Sequence, residues 1–477
     1  MTEFSPKQRR RILFAAIAAS SMGFIDGSVT SIVAPAIRAS LDTGLAEVQW
    51  VSNAYLLTLS SLLLLGGAAG DRFGLRKVFA LGILVFVVAS LACAFAGSAE
   101  WLIAARAIQG IGAAFMVPGS LAIIAVAYPK DQRGGAIGTW AAASSLTTLM
   151  GPVFGGLLLT WFGNDSWRWV FALNLPLGAL ALGLLLGLPA DSVGQGRKLD
   201  IVGAALATIA LLFVSWAFMG ADISSAWIFI GFGVVAIAAF IAWEARTSEP
   251  MLPLKLFADF GFTGAQVVTF LIYFGISAVM FYLSMVMIVG WLVSPAEVAI
   301  AILPFGVALT LLSTPAGHLT DRLGPGPVIA MGGAIVALAF VLLGATAGWH
   351  AVWFAVFPLM ALFGIGMSAV AGPISTAVMG TISEKETGTA SAINNAVSRV
   401  AGLLAIASMG SFAVWVFSAG APEGTVFGVP LDLSVSTGSA AAYIEATDAA
   451  FAAICYFAGV LSACAAILSW FSLPRRR

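Results

Sequence analysis

Three ionisable side chains lie inside apolar stretches, where a charge needs either a partner or a function: Asp26 in the run 12–37, Arg106 about five residues from the outer end of 101–127, and Arg399 in 388–417. On insertion scales a charge at mid-depth in a bilayer costs roughly 2.5 to 3.5 kcal/mol. Asp26 is about 14 residues, or roughly 21 Å along a helix, from the start of its run. It is expected to be protonated at rest or paired with a cation, and either state suits a proton carrier; a polar contact that fixes helix packing is the plainer alternative. Arg106 is expected either to reach Asp26 or to snorkel to the surface. Arg399 follows Asn395 by one helical turn and lies roughly 17 Å from the start of its run. It is expected to face a central cavity with Asn395 as hydrogen-bond partner, with buried structural pairing equally open.

Other chemistries lack their residues. His318 and His350 stand at the ends of apolar runs, with no Ser, Cys or zinc-ligand pattern beside them. Cys93, Cys455 and Cys464 are an odd number, each within an apolar run, and read as small hydrophobes rather than as disulfide or metal ligands. No Gly-rich phosphate loop with Lys is present, which argues against ATP drive. No catalytic set exists, and no enzyme is expected. The basic residues come in short clusters between apolar runs, with no basic stripe for nucleic acid. No metal and no cofactor is expected.

The elements that must position these charges are membrane spans. The 477 residues are 60% hydrophobic and 9% charged, against roughly 25% charged in a soluble domain. A helix needs about 20 apolar residues to cross a bilayer, and fourteen runs qualify. Six are 12–37, 47–69, 77–97, 101–127, 134–161 and 167–188; two more are 200–219 and 225–244; the last six are 261–290, 295–319, 326–346, 350–379, 388–417 and 447–472. With the amino terminus inside, eighteen of the 22 Lys and Arg residues fall on the inner side, as the positive-inside rule requires. Both termini are therefore expected in the cytoplasm, and the protein in the inner, cytoplasmic membrane of the cell.

The chain also repeats itself. Gly67-Ala-Ala-Gly-Asp71-Arg72-Phe-Gly74-Leu-Arg76-Lys77 returns as Gly317-His-Leu-Thr-Asp321-Arg322-Leu-Gly324, and Gly110-Ile-Gly112 with Pro118 is echoed by Gly364-Ile-Gly366 with Pro373. Internal repeats of this kind mark secondary transporters, whose site lies between the halves near the midplane. The expected architecture is an all-α integral membrane protein of fourteen transmembrane helices in two pseudo-symmetric six-helix bundles. The bundles are 1–188 and 256–477, with a two-helix insertion at 189–255. The outward loop 418–446 carries Val426 to Leu433 as a candidate strand, a hairpin or flap being as open as a plain loop. Ser294-Pro-Ala-Glu297 and Ser383 to Glu386 read as capping boxes.

On Asp26, Gln49-Trp50, Tyr55, Gly67 to Lys77, Arg106 with Gln109-Gly110-x-Gly112, Gly151-Pro152-x-x-Gly155-Gly156 and Trp167-Arg168-Trp169-Val170-Phe171 with Asn174 and Pro176, the chain resembles a major facilitator superfamily transporter of the fourteen-helix drug:proton antiporter branch. The likeness covers nearly the whole sequence. Gly67 and Gly74 are expected to permit tight turning, and Asp71 to cap the positive end of a helix, with the start of the thirteenth run at Thr387-Gly388 as target. The resemblance implies that Asp71 with Arg72, Arg76 and Lys77 forms a latch between the halves; a charged turn that only sets topology is the alternative. Gly151, Pro152, Gly155 and Gly156 are expected to kink the fifth span and pack it closely. Phe24, Tyr55, Trp140, Tyr273 and Phe274 are candidate cavity residues, although Phe-rich spans bury most such rings.

The function these features imply is a proton-coupled exporter of small amphipathic molecules such as drugs, working by alternating access on the proton gradient, with Asp26 and Arg106 coupling the proton. An exporter of a lipid, lipid precursor or other endogenous metabolite on the same fold is the alternative. The expected partners are substrate, protons and lipid bilayer, and nothing in the sequence requires more than a monomer.

Overall fold

The computed structural model describes residues 4–188, 198–219, 223–382, 386–429 and 437–474. Among them are fourteen helices long and apolar enough to cross a membrane, called spans 1 to 14 here. Spans 1 to 6 are Pro6–Leu41, Leu45–Phe73, Leu75–Ala94, Ala99–Ala127, Gln132–Phe162 and Asn164–Leu185. Spans 7 and 8 are Ile201–Met219 and Ser225–Glu244. Spans 9 to 14 are Phe260–Gly290, Pro295–Leu323, Pro325–Ala345, Val352–Gly380, Thr387–Ser418 and Gly438–Ser472. A continuous helix satisfies its own backbone polar groups, which lipid cannot do. Ends are capped by side chains where water thins out: Ser5 with Gln8, and Ser294 with Glu297 and Pro295 at the first turn, form the two reciprocal boxes. The Ser294 box is as the sequence predicts, whereas Ser383 lies outside the described residues.

Spans 1 to 6 pack into one bundle and spans 9 to 14 into a second; the two meet along spans 2 and 13, 5 and 10, and 1 and 9. Both described ends of the chain and the turns at Gly74 and Gly324 belong to one side, called the terminal face; the other side is the far face. Small residues set the approach distances. A Cβ at Gly156 in span 5 would stand 2.5 Å from the Pro295 carbonyl of span 10, so this seam tolerates glycine alone. Span 7 wedges beside the seam between spans 2 and 13: Trp216 lies 5.6 Å from Trp50, the Asn53 amide donates to the Met219 sulfur at 3.1 Å, and the Ser411 hydroxyl donates to the Phe218 carbonyl.

Three local expectations are corrected. Span 2 stays helical through Gly67 and Asp71 to Phe73, so the turn is Gly74 alone, with φ +99°, and its repeat Gly324 has φ +84°. Gly67 has open space around it and no unusual backbone, so it has no turning role. Residues 426–429 form turns rather than a strand, and the remainder of that candidate strand is outside the described residues. Span 14 begins about two and a half turns before the hydropathy limit at 447, because 438–446 is Ala-rich and forms a helix beyond the apolar core.

Candidate functional site

The Asp26 carboxylate of span 1 is buried in a polar network drawn from five spans. Arg106 of span 4 donates from Nη1 to Asp26 Oδ2 at 2.6 Å, and both side chains are 1% exposed. Gln109, one turn further along span 4, donates its amide to Asp26 Oδ1 at 3.1 Å and accepts from Arg106 Nη1 at 2.6 Å. The same amide donates to the Ser90 hydroxyl of span 3 at 2.8 Å, which also accepts from Asn174 of span 6 at 3.2 Å. Arg106 Nε donates to the Val51 carbonyl of span 2 at 3.0 Å, and the guanidinium lies over the Tyr55 ring at 4.3 Å. The choice the sequence left open between pairing and snorkelling thus falls to pairing. Both carboxylate oxygens and most guanidinium donors are engaged, which is what a charge pair in a dry site needs to offset desolvation.

The second deep arginine has a different setting. Arg399 of span 13 is half-buried and donates from Nε to Asn395 Oδ1 at 3.4 Å, the partner expected. Its charge is within electrostatic reach of Tyr273 in its own bundle and of Tyr55 in the other. Residues 394–400 are all partly exposed, so this turn of span 13 borders a cleft. Among the aromatic candidates, Phe24, Trp140 and Tyr273 are partly exposed, with the Trp140 indole donating to Ser20 at 2.9 Å and Phe24 edge-on to it at 6.3 Å. Two candidates are corrected: Phe274 is buried inside its own bundle against Phe270 and Phe457, and Tyr55 is buried beneath Arg106. One residue separates Tyr273 from Phe274, about 100° around a helix, enough to turn one toward the cleft and the other away.

The two faces are in opposite states. At the far face the halves are tied: Gln49 of span 2 donates to the Tyr282 hydroxyl at 2.7 Å and the Ile406 carbonyl at 2.8 Å, and its amide fills the space in front of Gly410. Arg38, buried at the end of span 1, donates to the Phe427 and Gly428 carbonyls at 3.1 and 2.6 Å, and the Ala296 amide donates to Thr160 at 3.1 Å. Toward the terminal face these ties give out. A Cβ at Gly134, Gly135, Gly138 or Gly317 would meet nothing within 4 Å, and the facing lengths of spans 5 and 10 are exposed. Asp71 is exposed and has no hydrogen bond or ion pair among the described residues, so its expected contact with the start of span 13 is unmade in this open arrangement. Arg76 instead donates to the Leu188 carbonyl within its own bundle, Arg72 lies 5.5 Å from the Phe73 ring, and Lys77 is exposed.

In span 5, which contains Pro152, a Cβ at Gly151 or Gly155 would collide with Ser28 or Val29 of span 1, while Gly156 faces span 10. The close packing expected of the four residues is present, shared between a partner in the same bundle and one in the other. Sequence reasoning gave no role to Gln109, Ser90, Gln49 or Arg38. The signal was available for the first three, as polar side chains inside apolar runs. It also left His350 without a partner, whereas the ring lies 2.7 Å from Asp448, which accepts from the Trp291 indole at 2.7 Å. Among the described residues no group of His, Cys, Asp and Glu could hold a metal ion.

The sequence profile of the Major Facilitator Superfamily matches residues 15–406. The methylenomycin A resistance protein of Streptomyces coelicolor is 31% identical over 402 residues, 82% of each chain. The tetracenomycin C resistance and export protein of Streptomyces glaucescens is 28% identical over 83% of this chain and 74% of its own. The multidrug resistance protein Stp of Mycobacterium tuberculosis is 30% identical over 83% of this chain and 74% of its own. In fold the chain is similar to the crystal structure of a D-xylose-proton symporter, with TM-score 0.65, 16% identity and 98% of each chain covered.

Proposed function

The chain belongs to the Major Facilitator Superfamily and is a membrane transporter rather than an enzyme, and we propose that it exports small amphipathic molecules in exchange for protons by alternating access. The observation that carries the reading is the Asp26–Arg106 pair: a titratable carboxylate at mid-depth, sealed from water, beside a cleft open to one face only. In this reading the terminal face is cytoplasmic, both termini are inside, and the membrane is the inner one of the cell. Substrate enters the cleft from that side. A proton arriving from outside neutralises Asp26, and Arg106 is left without its counter-charge in a site where an unpaired charge is expensive. Relief of that cost is what biases the exchange between states. Support also comes from the relatives, whose names tie them to resistance and export of antibiotics.

The energy suffices. One charge crossing about 100 mV is worth about 2.3 kcal/mol, and at about 1.4 kcal/mol per tenfold this sustains roughly a fiftyfold gradient of a neutral substrate per proton. No cofactor is needed for this work. The test is transport in proteoliposomes with an imposed pH gradient and a panel of lipophilic antibiotics. At least one compound is expected to move against its gradient only while the pH gradient lasts. Uptake of none of them, or uptake that ignores the gradient, contradicts proton-driven export.

A further inference from the structure

We infer that Gln109 reads the protonation state of Asp26 and passes it, through Arg106, to the hydrogen bonds that close the far face. This rests on proton carriage at Asp26 as proposed above and adds the part that turns a proton into a movement.

The inference follows from counting donors and acceptors. Gln109 is fully buried, and its amide has a single workable orientation: nitrogen toward Asp26 Oδ1 and Ser90, oxygen toward Arg106. A carboxylate only accepts and a guanidinium only donates, so the glutamine alone can serve both. When a proton settles on Asp26 the new hydroxyl needs an acceptor, because a buried donor without one is costly. The groups bonded to the carboxylate are Arg106 Nη1 and Gln109 Nε2, both donors. Arginine has no acceptor to offer. Glutamine has one, and turning its amide about the last side-chain bond brings the carbonyl to the Asp26 hydroxyl.

The same turn points the glutamine NH2 at Arg106 Nη1, and two donors cannot share a dry contact. Arg106 therefore loses its glutamine acceptor at the moment it loses its counter-charge. Its Nη1 keeps only the now uncharged Asp26 Oδ2, and its Nε keeps the Val51 carbonyl of span 2. Two residues earlier on the same span is Gln49, which holds Tyr282 and Ile406 of the opposite bundle. The first turns of span 2 thus carry both the arginine's anchor and the closing bond of the far face. The charged and titratable groups around Asp26 are Arg106 of span 4, Tyr55 of span 2 and Cys93 of span 3, with Arg399 of span 13 acting on Tyr55. Among the described residues none of these is an acceptor bonded to the carboxyl. The proton itself comes from water beyond the far face and ends on the Asp26 carboxyl; no other bond is made or broken covalently.

Two readouts on the full chain in nanodiscs test this. Spin labels at Asp42 and Leu292, both exposed on the far face and on opposite bundles, report the opening of that face, and the infrared carboxyl band that Asp26→Asn removes reports the proton. Acidification is expected to raise the band and lengthen the distance in the wild type. In Gln109→Met the band is expected still to respond to pH while the distance no longer does. A Gln109→Met distance that follows pH as in the wild type overturns the proposal, as does a wild-type distance that ignores pH while Asp26 titrates. Absence of any titrating Asp26 band brings down proton carriage itself, a different signature. Should Gln109→Met fold poorly, Gln49→Ala serves: titration retained with the far face open at both pH values is expected, and a wild-type pH response there also overturns the proposal.

Discussion

Arg106 and Arg399 are both arginines within membrane-spanning helices, yet one is enclosed and the other is open. Arg106 has a carboxylate, a glutamine, a backbone carbonyl and an aromatic face around it, and is 1% exposed. Arg399 has Asn395 at 3.4 Å and a cleft. The two charges are held for different ends. A fully bonded buried pair is a two-state element, because one proton removes its charge balance and calls for a new acceptor at once. A half-solvated arginine is a surface of the cleft, whose charge water and substrate can meet.

Substitutions that unbalance the two positions probe this contrast. Replacing Arg106 with Leu strands a buried carboxylate, and a loss of about 3 to 5 kcal/mol in stability is expected, read as a fall in the thermal unfolding temperature of the detergent-solubilised protein. Asp26→Asn keeps the volume and hydrogen-bonding shape of the side chain. It leaves Arg106 without a counter-charge, so it is expected to fold less stably than the wild type and to abolish export driven by a pH gradient; undiminished export from pH 6 to 8 would sink the assignment of the proton to Asp26. Arg399→Leu is expected to cost no more than about 1 kcal/mol, since water already screens that charge, while changing which compounds of the panel compete for binding. A loss as large as that of Arg106→Leu would mean that Arg399 is also a buried pair. Smallest of all, Asn395→Ala removes one long hydrogen bond and should shift stability by about 0.5 kcal/mol at most, without moving the pH profile of transport.

The contrast was only half legible in the sequence. Hydropathy alone placed fourteen spans, since lipid leaves the chain few options, and depth along each span singled out Asp26, Arg106 and Arg399. Partners were another matter. Whether Arg106 meets Asp26 or the surface depends on the rotation of spans 1 and 4 about their axes, which periodicity fixes poorly when nearly every residue is apolar. The same ambiguity hid Phe274 in the core while Tyr273 borders the cleft. Cross-bundle ties such as Gln49 to Ile406 join residues far apart in the chain, and no local rule pairs them. Whether Asp71 reaches the start of span 13 depends on how the two bundles sit at the terminal face, which no local pattern in the sequence specifies. Span 14 was misplaced at its start because an Ala-rich helix can continue past the apolar segment that hydropathy detects.

Exchange of this kind requires that substrate and proton compete through Asp26. That competition can be measured in weakly buffered detergent solution with a pH-sensitive dye, adding the compound that the wild type transports best. The wild type is expected to release protons in proportion to substrate bound, and Asp26→Asn to bind the same compound with no release. Equal proton release from both proteins, or none from the wild type across pH 5 to 9, would contradict competition at Asp26.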